Sequence, residues 1–294
     1  MGVSCWGSAR AAAVGGAGPR MSDQPYSVLM SVYARDRAPW LTEALESMAA
    51  QTAAPAQVVL VLDGPVGAEL YAAIDAFDVS HPGLLLQVPL PKNGGLGRAL
   101  QAGLAHCTCP IVARMDADDY SRPARCAAQL AKLAEGYDMV GCNVSEFAED
   151  RTCPGALRVL PETHEEIIRF AKRRSPFAHP AFMVRREALE AVGGYRDVHY
   201  AEDFDLFARL LKAGFRGYNI QEPLVDMRVD ADAYRRRGGV SYLGDMLAFN
   251  MRQLREGWFS PVDFLVRSAA NIGVTLVPNG VRDGIYKRFL RRRS

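Results

Sequence analysis

"IVARMDADDYSRP", residues 111–123, packs Asp116, Asp118 and Asp119 into four positions directly after an apolar run. Like charges this close repel, the more so where water is scarce. A helix starting near Pro123 needs one capping side chain, not three. A calcium loop of the EF-hand type is excluded, because Ser121 stands where the turn glycine belongs and Ala127 where the bidentate glutamate belongs. A D-x-D at the end of a buried strand fits a site for a metal-bound diphosphate. Mg2+ and Mn2+ take one or two carboxylates and complete their shells with phosphate oxygens.

Working outward, the run before these acids is one of a series. "YSVLMSVYA" (26–34), "AQVVLVLDG" (56–64), "LLLQVPLP" (84–91), "PIVARMDADD" (110–119) and "DMVGCNVSEF" (138–147) read as strands. Helical patterns separate the first four and follow the fourth. One has Pro39 in its first turn and Leu41, Leu45 and Met48 on one face; another repeats Leu96, Leu100, Gly103 and Leu104 at helical spacing. Near-continuous Val/Ile/Leu strands alternating with helices predict an α/β fold, a mostly parallel sheet covered on both faces. Ligands of such sheets bind outside the carboxyl ends of the strands. That rim collects Tyr33 and Arg35, then Asp63-Gly64, then Asn93-Gly94-Gly95, then the aspartates.

Composition sets the outer bounds. The chain has 294 residues, 49% hydrophobic and 23% charged, with a net charge of +2. Those are globular values that allow a sizeable core and give no sign of a nucleic-acid binder. The six cysteines (Cys5, Cys107, Cys109, Cys126, Cys142, Cys153) form no CxxC pair, so a reduced cytosolic chain is expected rather than a disulfide framework. No apolar run reaches the ~18 residues of a spanning helix; "PVDFLVRSAANIGVTLVP" (261–278) carries Asp263 and Arg267. The first twenty residues are rich in Ala and Gly, and their apolar centre makes a poor signal peptide. Trp6 stands where myristoylation needs Ser or Thr. Residues 1–22 are expected to be a disordered leader.

Six stretches in this order, "SVYARDRAPWLTEALESMAAQT", "VVLVLDG", "NGGLGRALQAGL", "ARMDADDYSRP", "HPAFMVRREALEAVGGYR" and "YAEDFDLFARL", carry a resemblance. From about Tyr26 to about Arg237 the chain resembles a family 2 inverting glycosyltransferase, in the branch that builds bacterial capsular and extracellular polysaccharide. The resemblance implies a GT-A nucleotide-diphospho-sugar transferase fold over 23–237 and a helical C-terminal extension over 238–294.

It also implies roles. Ser31, Val32 and Tyr33 would line the nucleotide base, and Asp63 would hydrogen-bond the base ring. Asn93, Gly94, Gly95 and Gly97 would let backbone approach the ligand, with Arg98 reaching the nucleotide. Asp116 and the adjoining Ala117 would meet ribose or metal, and Asp118 would coordinate Mn2+ or Mg2+ against the diphosphate. The family often has two acids before the strand-two glycine; here Leu62-Asp63-Gly64 leaves one.

"AEDFDL" supplies Glu202, Asp203 and Asp205. An inverting transfer needs one base to take the acceptor's proton, from a segment facing the departing diphosphate. Asp203 resembles that base, with Glu202 beside it as acceptor ligand or substitute. His179-Pro180 and Gly193-Gly194-Tyr195 are expected to shape the acceptor pocket, without a proton-transfer role for His179. Two other readings stay open here, a sugar-nucleotide pyrophosphorylase and a catalytically silent glycan-binding protein. "SVYARDRAPW" lacks the glycines a pyrophosphorylase phosphate loop uses.

The basic excess sits at the end. Arg282–Ser294 holds six Lys/Arg against Asp283, and Val281, Ile285 and Phe289 fall four apart. A terminal amphipathic helix is expected to give peripheral contact with an anionic membrane at its cytoplasmic face. The expected partners are a nucleotide-sugar donor and a glycan or lipid-linked acceptor, with no nucleic acid.

Overall fold

The computed structural model describes residues 24–153, 155–198, 201–229 and 240–276. The expected leader and the terminal amphipathic helix lie outside the described residues.

The first half forms β1 (Tyr26–Val32), α1 (Ala38–Ala49), β2 (Gln57–Leu62), α2 (Ala68–Ser80), β3 (Leu85–Pro89), α3 (Leu96–Leu104), β4 (Ile111–Arg114) and α4 (Arg125–Ala134), with the two-residue β5 (Tyr120–Ser121) before α4. β3, β2, β1 and β4 are neighbours and parallel throughout. Alternation along them sorts two cores. Val28, Met30, Leu60, Ile111 and Ala113 pack with α1, α2 and α4; Leu29, Val59, Val61 and Val112 pack with α3 and the second half. The sheet is therefore buried on both faces, as its continuous apolar strands require. Chain order reverses between β1 and β4, so the switch point at which open α/β sheets take ligands lies at their carboxyl ends.

The second half adds β6 (Met139–Phe147), β7 (Ala156–Arg158), α5 (His164–Ala171), β8 (Met183–Arg185), α6 (Arg186–Ala191), α7 (Glu202–Lys212) and β9 (Gly217–Arg228). It extends the same sheet, in the order β3-β2-β1-β4-β8-β6-β9-β5, with β7 on β6. Here the pairing is mixed. β8 runs antiparallel to both β4 and β6, while β9 runs parallel to β6 across a break in register near Asn143. The parallel arrangement read from the sequence thus holds for the first four strands and gives way beyond β4.

α8 (Val240–Arg255) and α9 (Pro261–Leu276) follow. Phe249 and Phe259 pack on Phe204 of α7, which seats these helices on the core behind α7. α7 itself is favoured by acids in its first turn and Arg209 and Lys212 in its last, which match the helix dipole.

Candidate active site

The chain leaves β4 through Arg114, whose side chain is buried and ion-paired with Asp116. Ligand oxygens of Asp116, Asp118 and Asp119 all lie within 4.8 Å of one another. Asp119 is buried: its Oδ1 accepts the Arg228 backbone N–H at 2.7 Å, and its Oδ2 has no partner among the described residues. Arg228 closes β9 and braces this loop. Its Nε donates to the Asp118 carbonyl at 3.1 Å, and its guanidinium lies 4.5 Å from the ring centres of both Trp40 and Phe147.

Burial, and then the charge of Asp116, lifts Asp118 to about 6; Arg114 and Arg228 oppose that shift. Asp119 is raised by burial and by both neighbouring aspartates. A fourth carboxylate joins them: Asp36, in the loop after β1, is lifted to about 7 by burial, with Asp118 and Asp116 raising it further. The donors are hard oxygens, crowded and in excess of the buried guanidiniums that face them, and one buried carboxylate oxygen is unpartnered. That set suits a hard divalent cation.

Ser31 and Val32 end β1, and Tyr33 opens the loop after it. The Tyr33 N–H donates to Asp36 Oδ2 at 3.0 Å, and Arg35 lies over the Tyr33 ring. Asp63 closes the neighbouring loop. Its two oxygens accept the N–H groups of Gly94 at 2.7 Å and Gly95 at 3.0 Å. Lone pairs on both oxygens stay available for a base N–H. Gly95 sits at φ +88, where only glycine is unstrained. Asn93 Nδ2 donates to the Asp63 carbonyl at 3.2 Å. The acid missing at position 62 has a physical reason, since Leu62 is buried in the core under α1 and α2. Arg98 pairs with Asp197 at 2.6 Å, in an exposed contact. An exposed pair of this kind is weak.

The first turn of α7 lies near the aspartate cluster. A Cβ on Gly97 would come within 2.8 Å of the Arg196 carbonyl and 3.2 Å of Glu202 Cβ, so that glycine lets α3 seat against α7. Glu202 is lifted to about 7, chiefly by burial and the Asp203 charge, with Asp116 contributing. The two acidic groups therefore share one field. Asp203 Oδ1 accepts the Phe204 N–H at 2.6 Å, and its Oδ2 accepts the Ser175 hydroxyl at 3.3 Å. Asp205 is different: fully buried, it pairs with Arg209 at 2.8 Å and accepts from Gln253 at 3.2 Å. Beneath the site His179 is buried, one ring nitrogen 3.0 Å from the Tyr195 hydroxyl; burial and Arg114 hold its pKa well below the usual value, so it is neutral.

Sequence reasoning missed Asp36, Arg114 and Arg228. Arg114 left a signal, a charged residue inside an otherwise apolar buried strand. Asp36 left a weaker one, an acid on the same rim as the aspartates. Arg228 left none, being 109 positions from the Asp119 it braces.

A sequence model described as "Glycosyl transferase family 2" matches residues 27–193. Among characterised relatives, the UDP-Gal:alpha-D-GlcNAc-diphosphoundecaprenol beta-1,3-galactosyltransferase of Escherichia coli is 35% identical over 276 residues, covering 92% of this chain and 99% of that protein. The amylovoran biosynthesis glycosyltransferase AmsE of Erwinia amylovora is 36% identical over 220 residues, 74% of this chain and 81% of its own. Among solved structures, the mannosyltransferase PcManGT of Pyrobaculum calidifontis, in complex with GDP-Man and Mn2+, superposes with a TM-score of 0.62 at 21% identity, covering 88% of this chain and 72% of that one.

Proposed function

The chain belongs to glycosyl transferase family 2 and is a glycosyltransferase; on that premise we propose that it moves a sugar, with inversion, from a nucleoside-diphosphate sugar to a glycan or lipid-linked acceptor in cell-surface polysaccharide biosynthesis. One observation carries this reading. The oxygens of Asp116, Asp118 and Asp119 cluster just past β4, at the β1–β4 switch point, and Asp116 is near enough to the acids opening α7 to raise Glu202. The relatives' names support the class of acceptor, since one acts on a diphosphoundecaprenol-linked sugar and another serves amylovoran biosynthesis. The mannosyltransferase with GDP-Man and Mn2+ supports use of a divalent cation on this fold.

Asp116 and Asp118 would hold Mn2+ or Mg2+, which when bound offsets negative charge developing on the departing diphosphate. Ser31, Val32 and Tyr33 line the base, with Asp63 and Asn93 on its edge. Gly95 and Ala117 bring backbone close to the donor, and Arg98 swings from Asp197 to the nucleotide. Asp203 takes the proton from the acceptor hydroxyl as its oxygen forms the bond to the anomeric carbon, while the bond from that carbon to the diphosphate breaks on the opposite face. Glu202 orients the acceptor. Arg114 holds Asp116 in place, and neutral His179 supports Tyr195 without titrating. On this reading the catalytic domain spans 23–237, and α8 and α9 follow it. The enzyme works on the cytoplasmic side, at the membrane periphery.

The test is direct. Purified protein with Mn2+, a panel of UDP- and GDP-sugars and a diphospholipid-linked N-acetylglucosamine is assayed for product, and the new linkage is assigned by NMR. Inverted product with one donor, lost in EDTA, supports the proposal; retained configuration or no transfer with any donor overturns it.

A further inference from the structure

α9 carries its apolar residues on two sides. The inner side packs on the domain. Arg267 lies 4.4 Å over the Phe204 ring and donates to Asn250 Oδ1 at 2.9 Å, and the Ser268 hydroxyl accepts from Asn250 Nδ2 at 3.2 Å. The outer side shows Val262 and Leu265, each 64% exposed, with Val266 at 47% and Ile272 at 39%. Ala269 and Gly273, also exposed, complete the stripe. Half of the large hydrophobics exposed among the described residues stand on this one helix face. A contiguous apolar stripe on a soluble surface marks a contact.

The rim of the stripe says what kind. Arg173 pairs with Asp263 in the first turn of α9 at 2.5 Å, and Lys172 reaches the Trp258 carbonyl just before the helix. The basic run Arg169, Lys172, Arg173 and Arg174 therefore borders the stripe, with Arg169, Arg173 and Arg174 exposed. Beyond Leu276 the chain continues with six more Lys/Arg and Asp283 as its one acid. Apolar residues with a cationic border suit an anionic lipid interface, into which the stripe sinks while the cations meet headgroups. A second copy of the chain fits less well, because a two-fold pairing through this face would set like-charged borders together.

The inner side of the same helix packs next to Asp203. Ser175, which follows the basic run, donates to Asp203, and Arg267 of α9 covers Phe204, the residue after Asp203. We propose that the outer face of α9 and the basic run 169–174 dock the enzyme on an anionic bilayer, so that a lipid-diphosphate-linked acceptor presents its sugar to Asp203. This rests on the transferase reading above and names the surface that serves it.

The experiment is co-sedimentation of the full chain with vesicles of phosphatidylglycerol, and separately of phosphatidylcholine, at low salt. The wild type is expected to pellet with phosphatidylglycerol and to bind phosphatidylcholine weakly. Val262→Glu with Leu265→Glu, at exposed positions that leave the fold intact, is expected to raise the vesicle Kd tenfold or more. Its circular dichroism and its hydrolysis of the donor sugar stay unchanged. Arg169→Gln with Arg174→Gln is expected to lower binding to phosphatidylglycerol alone. Three results overturn the proposal: wild type left in the supernatant; unchanged vesicle binding by the α9 variant, whether or not it alters self-association of the chain; or binding lost only with Arg291→Ser, Arg292→Ser and Arg293→Ser. Vesicle binding without hydrolysis of any donor would instead remove the transferase reading and leave the surface standing.

Discussion

Two acidic clusters lie near each other in this molecule, close enough for Asp116 to raise Glu202, and the same residue type is balanced differently in each. At the end of β4 Asp118 and Asp119 are lifted by burial and by the charge of the neighbouring aspartates, with Arg114 and Arg228 as the cations nearby. At the start of α7 the charge is sorted. Asp205 is silenced by Arg209, Arg196 and Gln253, while Asp203, two residues earlier, accepts from a serine hydroxyl and a helix N–H. What separates them is who supplies the balancing charge. The α7 cluster balances Asp205 with Arg209 and Arg196, while Asp203 is the residue proposed above to take the acceptor's proton. The β4 cluster is the one proposed above to take its balancing charge from a bound cation.

The largest test of that division is Asp203→Asn. Transfer is expected to fall by about 10²- to 10⁴-fold, the usual cost of losing a general base. Affinity for UDP, measured by calorimetry, stays as in wild type, because the base acts on the acceptor. Near-normal transfer would move the role to Glu202.

Asp205→Ala probes the silent member. Leaving Arg209 with one partner fewer in a buried setting is expected to cost about 3–5 kcal/mol in chemical denaturation. The folded fraction keeps normal donor affinity. A stable variant that loses transfer would show that Asp205 serves the chemistry and that the sorting proposed for α7 is wrong.

Arg228→Met removes the brace from the β4 side. Outer contacts of this kind typically change metal affinity 10- to 100-fold, so Mn2+ affinity, followed by intrinsic fluorescence, is expected to weaken by about that range. An unchanged affinity would mean the Asp118–Asp119 loop holds its shape unaided.

The smallest effect is in pH. Asp118 at about 6, and Asp36 and Glu202 at about 7, are all raised by burial. The native state therefore binds more protons than the unfolded one between about pH 4, where free carboxylates titrate, and about pH 7. Their contribution to stability is full at the acid end and lost as pH rises through the shifted values. The shift in Tm on adding Mn2+ is accordingly expected to be larger at about pH 8 than at about pH 5, where protons already occupy the acids. An equal shift at both would separate the cation from these carboxylates.

How much of this was legible in the sequence follows from how far apart the partners lie. β1 to β4 and their helices were readable because parallel strands buried on both faces leave unbroken Val/Ile/Leu runs. β5, β7 and β8, of two or three residues each, have no period to read, and the break in the β6–β9 pairing arises from contacts about 80 positions apart. Asp116, Asp118, Glu202 and Asp203 stood out because each cluster is local. The double use of Asp63, which holds Gly94 and Gly95 while facing the crevice, needed the folded loop. So did the sorting of Asp203 from Asp205, since one residue's partners lie on α8 and in the loop before α7.

The account rests most on the β4 cluster, and titration calorimetry of UDP reaches it directly. With Mn2+ present, UDP is expected to bind the wild type with measurable heat; in EDTA, or with Asp118→Asn in Mn2+, binding is expected to vanish. Equal affinity for UDP in Mn2+ and in EDTA would contradict the account, because it would mean the aspartates meet the diphosphate without the cation their geometry calls for.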